Sequence, residues 1–486
     1  MIGKSSWDWL GFFFPAFDLI TLNACRANLI EGSSRYPSGW FRIHLFPFGT
    51  TVVANGPELV DELCNAPDDA FSLADFAEKI LHIRYTISPT LRQSRYHIPI
   101  VRNTLTRNLG VLFSALVDEM NAAFADSVFN FDSDIGANGR KGEGEWRGVV
   151  VHRNIMKLVC RVTNRVVVGA PLCRNREYRN LNIDFTMDVA KRAVFINLFP
   201  AFLHRLIGPL LSKTKKYQRQ MRRLVGDMIE ERKAKLSKDK HYEDKPNDYL
   251  MWLIEQAPSG AEGTTEALIV RLLQMNFSSI HATSMTLTHA IFYLATYPEY
   301  IPLLRAEADA VISEDGWTKK GMQRMRRLDS FLRESSRINA VTLTSLNRYA
   351  LRDYTFQDGT FIPKGTFVTA SLHSLHMNDG TYEDAEKFDP WRFVEKGANE
   401  EVLEESMARQ FTSTSAEYLA FGSGKHVCPG RFFAANEIKA ILCYFILNYD
   451  LRLPGGVTER PPNQYFGTSV LPNQRAEVLF RPRRRA

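Results

Sequence analysis

From Thr264 to Thr296 the chain carries apolar residues on every side of a helical repeat: Leu268, Ile269, Val270, Leu272, Leu273, Met275, Phe277 and Ile280, then Leu287, Ile291, Phe292 and Leu294. Thr264 or Thr265 can cap the first turn, because a threonine hydroxyl accepts one of the free N–H groups there. Pro298 ends the run, since proline cannot continue a helix. About 32 residues at 1.5 Å each make a rod of roughly 48 Å. A helix apolar all round is either wrapped by the rest of its chain or crosses a membrane. Arg271 and the polar middle, Ser278-Ser279-Ile280-His281-Ala282-Thr283-Ser284, disfavour the membrane. The hydroxyls of that middle can bond back to carbonyls one turn earlier and bend the helix. Two readings of it stand: satisfied hydroxyls in a core, or a pocket cut against the helix.

The remaining chain is large enough to wrap such a rod. It has 486 residues, 45% apolar and 24% charged, which excludes disordered, collagen-like and coiled-coil classes. Length alone would allow two to four domains at roughly 100–200 residues each. No repeat is present, and two polar stretches do not divide the chain. Gly136 to Gly144 reads as a surface loop, and Lys233 to Pro246 as an exposed helix end and linker. Strand signals gather near the two ends: Thr50 to Ala54, a hairpin-like series from Tyr354 to Thr369 with turns at Asp358-Gly359 and Pro363-Lys364-Gly365, and Ala476 to Phe480. The expectation is a mainly α protein with small β-sheets, one large domain built on a long central helix.

Charge and cysteine content exclude more. Sixty-one Lys+Arg against 54 Asp+Glu is too dilute an excess to imply nucleic acid, and suits an anionic membrane surface or an acidic protein partner. Six scattered cysteines make no disulfide framework. The uncharged run Trp9 to Phe17 is far short of the roughly 20 residues that span a bilayer. Nor does it read as a cleavable signal peptide. Its aromatics suit either a membrane interface or packing on the body.

Chemistry concentrates near Phe421-Gly422-Ser423-Gly424-Lys425-His426-Val427-Cys428-Pro429-Gly430-Arg431. Two glycines make a tight loop with little side-chain bulk. Pro429-Gly430 then opens an apolar helix, so Cys428 sits at a helix N-terminus, where free amides and the dipole favour a thiolate. A thiolate in such a loop is a good axial ligand for haem iron. Gly424-Lys425 is not a phosphate loop, and no second Cys or His stands at zinc spacing.

This stretch resembles the haem-binding signature of the cytochrome P450 family. Glu334-Ser335-Ser336-Arg337 is similar to the family's E-x-x-R, and Phe388-Asp389-Pro390-Trp391-Arg392-Phe393 to its arginine-containing element. Tyr96 to Leu109 and His281 to Thr286 resemble the fungal branch. The resemblance implies residues 1–30 as an apolar, membrane-proximal segment and 31–486 as a haem-thiolate catalytic domain. It implies haem b bound by Phe421, Gly422, Gly424 and His426 of the loop, with Cys428 as the iron ligand. Arg348, and Arg102 or His97 on the early helix, would join His426 at the propionates. Glu334, Arg337 and Arg392 would form a structural ion-pair triad behind the haem.

The implied activity is insertion of one oxygen atom from O2 into a lipophilic secondary metabolite: a terpenoid, indole-terpenoid or polyketide. Electrons would come from NADPH through a cytochrome P450 reductase, meeting Lys425, Arg431 and Lys439 near the cysteine loop. The implied location is the cytosolic face of the endoplasmic reticulum, though no anchor is evident. Apolar residues Leu198 to Leu203 and Leu206 to Leu211 would touch the bilayer or pack in the core. Substrate would lie against Phe277, Ser278, Ile280 and Ala282, and near Val341 to Leu346.

One departure matters. Where the family has an acid followed by threonine, this chain has His281 and Ala282, then Thr283. His281 can relay protons, but Ala282 has no hydroxyl. Ser279, one turn earlier, shares the face of Ala282, whereas Thr283 points elsewhere. His281 and Ser279 are the candidates for proton delivery, with Thr283, next in sequence to Ala282, the poorer substitute. The departure also motivates a second reading, a haem-thiolate enzyme for a non-oxygenating rearrangement, dehydration or ring formation. A non-enzymatic haem sensor or carrier is a third.

Overall fold

A computed structural model describes residues 24–45, 49–126, 146–394 and 410–483. The run Trp9 to Phe17 and the stretch Gly136 to Gly144 lie outside the described residues. Helices dominate. Those used below are α1 (Ala24–Arg35), α2 (Thr106–Ala125), α3 (Val151–Val167), α4 (Arg176–Asn197), α5 (His204–Leu211), α6 (Thr214–Lys238), α7 (Thr265–Thr296), α8 (Arg326–Ile338), α9 (Leu372–His376) and α10 (Arg431–Asn448). The mainly α architecture with small sheets matches the expectation from sequence. The boundary drawn at residue 30 falls inside α1, whose Cys25 and Leu29 are buried.

The central helix α7 begins and ends where the sequence places it. Thr264 is its N-cap, accepting the amide of Ala267 at 3.3 Å. It packs against α3, α4, α6, α8 and α10, and Leu268, Leu272, Leu287, Ile291, Phe292 and Leu294 are fully buried. Burying one such side chain contributes about 1.5–3 kcal/mol, so the body closes around this rod. Ser278 and Ala282, four residues apart, are nevertheless exposed. They lie on one face, which opens a stripe along the middle of a core helix. Among the described residues no helix is long and apolar enough to cross a membrane.

Twelve strands are described. The largest sheet has the order β1-β2-β8-β5-β3, from β1 (Trp40–Leu45), β2 (Gly49–Ala54), β3 (Phe71–Ser72), β5 (Thr344–Ala350) and β8 (Phe367–Ser371). A second joins β4 (Arg147–Val150), β12 (Glu477–Pro482) and β9 (Tyr449–Arg452). Two hairpins remain: β6 (Tyr354–Thr355) with β7 (Phe361–Ile362), and β10 (Gln464–Phe466) with β11 (Ser469–Leu471). The hairpin-like series seen in the sequence therefore breaks after β7. β8 leaves it to pair parallel with β2 and antiparallel with β5. Val368, Thr369, Ala370 and Ser371 are completely buried, which suits the middle of a larger sheet and not a two-stranded surface ribbon.

Candidate active site

Cys428 stands where the loop meets α10. Gly422 and Gly424 both take positive φ, 71° and 64°, a region where only glycine is unstrained. At Gly424 the constraint is also steric: a Cβ there would lie 2.5 Å from Cys64 Sγ. The Cys428 amide donates to the Phe421 carbonyl at 2.9 Å, closing the loop, and Phe421 packs edge-on against Phe411. The backbone amides of Gly430 and Arg431 bond the Cys428 thiol and favour its anion, but burial is the larger effect and pushes the thiol up. A thiolate at this spot needs a positive centre beside it, which is what iron supplies.

The ion-pair triad is assembled on α8. Arg337 donates to Glu334 through Nε at 2.7 Å and Nη2 at 2.8 Å. Arg392 Nε and the Asp389 amide reach Glu334 Oε1, both at 3.1 Å. Glu334 has no solvent exposure. Such a pair is tolerable only because its remaining lone pairs and protons are used: Arg337 Nη1 also bonds the His376 carbonyl. His376, at the end of α9, then links this triad to the cysteine loop. Its Nδ1 bonds the Arg337 carbonyl at 2.9 Å, and its Nε2 takes the Leu419 amide at 3.1 Å. Sequence reasoning missed His376, because both its partners are backbone atoms.

The four residues expected at propionates differ in their surroundings. Arg348, on β5, is buried, and its Nη2 has no partner. His97 Nδ1 is likewise buried and unpartnered. Burial pushes His97 down to about 4. Arg348, Gly422 and His426 line a cavity of about 210 Å³, with Thr344, Leu346 and Ala420. Arg102 is exposed, and its Nη2 donates to the Lys425 carbonyl at 2.9 Å. His426 Nε2 contacts Asp68 Oδ1 at 2.7 Å, a partner with no sequence signal. A buried guanidinium with one unpartnered nitrogen beside a cavity fits an anionic ligand edge, and the Cys428 sulfur fits a metal. These residues suit haem.

On α7, Ala282 is exposed to the open stripe while Thr283 is buried, so the two face different ways. The Ser278 and Ser279 hydroxyls bond back to Gln274 and Met275 carbonyls, each at 2.9 Å. His281 is half-buried, and its Nε2 lies 2.8 Å from Thr186 Oγ1 on α4. Of the three cations offered as a docking surface, Lys439 is a correction. It is buried, paired with Asp329 at 2.7 Å, and donates to the Met322 carbonyl, because it lies on the side of α10 that packs inward. Arg431 is half-buried over the Phe432 ring. Lys425 is on the surface side, paired with Asp68 at 3.1 Å.

The chain matches the family model described as Cytochrome P450 over residues 20–480. Among its relatives are several from the fungus Postia placenta. Cytochrome P450 monooxygenase 151 is 41% identical, over 89% of this chain and 84% of the relative. Cytochrome P450 monooxygenase 103 is 39% identical, over 94% and 88%. Ent-kaurene oxidase of Gibberella intermedia is 29% identical, over 93% and 82%.

Proposed function

Because the chain belongs to the cytochrome P450 family and is an oxidoreductase of its monooxygenase class, we propose that it oxygenates a lipophilic secondary metabolite with electrons from an NADPH-dependent reductase. The observation that carries this reading is the Cys428 loop: a sulfur met by two backbone amides, in a turn where Gly424 can bear no side chain. Haem bound there supplies activation of dioxygen, chemistry that no amino-acid side chain provides. Cys428 holds the iron. Arg348 and His97 hold the propionates, each having a buried polar atom without a partner. His426 adds a contact from the loop, and Arg102 braces the loop from outside through Lys425. Glu334, Arg337 and Arg392 keep the wall behind the loop rigid.

The open stripe of Ser278 and Ala282 is the distal wall, and His281 borders it. Half-buried Phe277 beside it suits a lipophilic substrate, whereas Ile280, expected there from the sequence, is completely buried and faces the core. A terpenoid, indole-terpenoid or polyketide scaffold meets that description. Entry from a membrane is supported by α5 and the turn before it, where Phe202, Leu206 and Leu210 are 78%, 64% and 78% exposed. A cluster of this kind seeks a lipid surface. We place the protein on the cytosolic face of the endoplasmic reticulum.

The test is turnover of the haem-loaded protein with a fungal NADPH–cytochrome P450 reductase over a panel of those three scaffolds. A product gaining one oxygen atom, dependent on both NADPH and O2, is the expected result. Conversion without NADPH would replace this reading by the non-oxygenating one, which Ala282 motivates.

A further inference from the structure

Thr186 is fully buried on α4, and its hydroxyl oxygen has two close neighbours. The Ile183 carbonyl oxygen lies at 2.8 Å, and His281 Nε2 also lies at 2.8 Å. A hydroxyl has one proton to give. If it went to His281, the Thr186 and Ile183 oxygens would face each other at 2.8 Å with no proton between them. Only one arrangement puts a proton in both contacts: Thr186 donates to Ile183, and His281 donates from Nε2 to Thr186.

We propose that Thr186 is a positioning residue that fixes His281 as the Nε2–H tautomer, so that this ring offers a bare Nδ1 to a water or substrate hydroxyl beside Ala282. Among the described residues none bonds that nitrogen, and His281 borders the stripe opened by Ser278 and Ala282. Burial pushes His281 below its ordinary value, so the ring is neutral near pH 7 and keeps one acceptor nitrogen. The small side chain of Ala282 leaves room for the donor. A water held this way gives one proton to the bond with Nδ1 and keeps the second to deliver, whereas a substrate hydroxyl spends its single proton on Nδ1 and is only positioned by it. This inference rests on the reading of α7 as the distal wall.

The experiment uses haem-loaded protein with ¹⁵N-labelled histidine rings, in the diamagnetic ferrous carbon-monoxide form. The chain has eleven histidines, and the signals of His281 are those missing from His281→Gln. In the wild-type protein Nε2 should appear protonated and Nδ1 unprotonated. Thr186→Ser, which keeps the acceptor, should preserve that pattern, while Thr186→Val should lose it. With reductase and no substrate, the share of NADPH electrons released as peroxide should rise several-fold in Thr186→Val and His281→Gln, but not in Thr186→Ser. A protonated Nδ1 in the wild-type ring overturns the proposal, and this reading needs only one folded variant for the assignment, His281→Gln or His281→Asn. So does a Thr186→Val protein that keeps the Nε2–H pattern. If the tautomer is as stated but His281→Gln releases no extra peroxide, the distal-wall reading of His281 fails while the hold of Thr186 on it stands.

Discussion

His376 Nε2 accepts the backbone amide of Leu419 at 3.1 Å. That bond places the proton of the ring on Nδ1, which donates to the Arg337 carbonyl at 2.9 Å. Burial, the largest effect, pushes His376 down to about 3, so it stays neutral and both bonds persist at ordinary pH. Leu419 lies two residues before Phe421, whose carbonyl closes the cysteine loop. One imidazole thus ties the position of the loop to the buried Glu334–Arg337 pair.

Replacing His376 by Phe should loosen the loop while sparing the helices. Two buried backbone groups lose their partners, each worth about 1–3 kcal/mol. Haem transfer to an excess of apomyoglobin should be faster, with far-ultraviolet circular dichroism unchanged. Glu334→Ala should be worse, because it strands two arginines, and breaking a buried pair typically costs about 3–5 kcal/mol. A Glu334→Ala protein with full haem content and unchanged melting, impaired only in turnover, would contradict the structural role.

Cys428→Ser should abolish the red-shifted Soret band of the reduced carbon-monoxide complex. The same substitution at Cys25, Cys64, Cys160, Cys173 or Cys443, all buried, should leave the band in place. Absorbance difference spectra of the six variants decide the ligand.

Lys425 and Lys439 should behave oppositely on charge reversal. Lys425→Glu should slow reduction by the reductase and flatten its salt dependence, since long-range steering weakens as salt rises. Lys439→Glu should instead fail to fold or lower the melting temperature sharply, because it sets a second acid beside the buried Asp329. Stopped-flow reduction and thermal melts separate the two effects.

Stability should fall as pH drops from about 6.5 to about 4. Burial holds His82, His152 and His373 each near 4, against an ordinary 6.5. Across that window the unfolded chain binds these protons and the folded chain does not. The stabilisation from neutral burial is present above the unfolded value and is lost on acidification. Each group adds up to about 1.4 kcal/mol per pH unit to the slope. Urea midpoints measured every half unit should show the slope, and His152→Gln should reduce it.

Ala282→Thr should keep oxygen insertion and lower the peroxide released per NADPH, because a hydroxyl joins the exposed stripe. Thr283→Ala, on the buried side of the helix, should leave that ratio unchanged. Peroxide, NADPH and product measured together check both.

What the sequence revealed depended on whether a residue's partners were near it in the chain. The extent of α7 follows from local facts, a capping Thr264, apolar residues all round and Pro298. The Cys428 loop is legible because its glycines and its cysteine are neighbours. Glu334 and Arg337 are three apart, so their pairing follows from helix geometry. The place of β8 was not legible, because its partner β2 lies far upstream and strand propensity says nothing about which edge is open. Lys439 was misjudged because nearness to Cys428 in sequence does not tell which side of α10 faces solvent. Asp68 on His426, Thr186 on His281 and Cys64 under Gly424 join distant segments through single contacts. Nothing in the local composition marks them.

The parallel pairing of β2 with β8 also has a cost in time. Val52 meets Val368 across this ladder, so the inner edge of β2 stays open while more than 300 further residues are made. At roughly 5–20 residues per second, the nascent β1–β2 ribbon waits on the order of 15–60 s for its neighbour. An open strand edge invites pairing with other chains. The yield of this protein in a cell is therefore set in part by whatever shields that edge during synthesis, and slower translation lengthens the exposure.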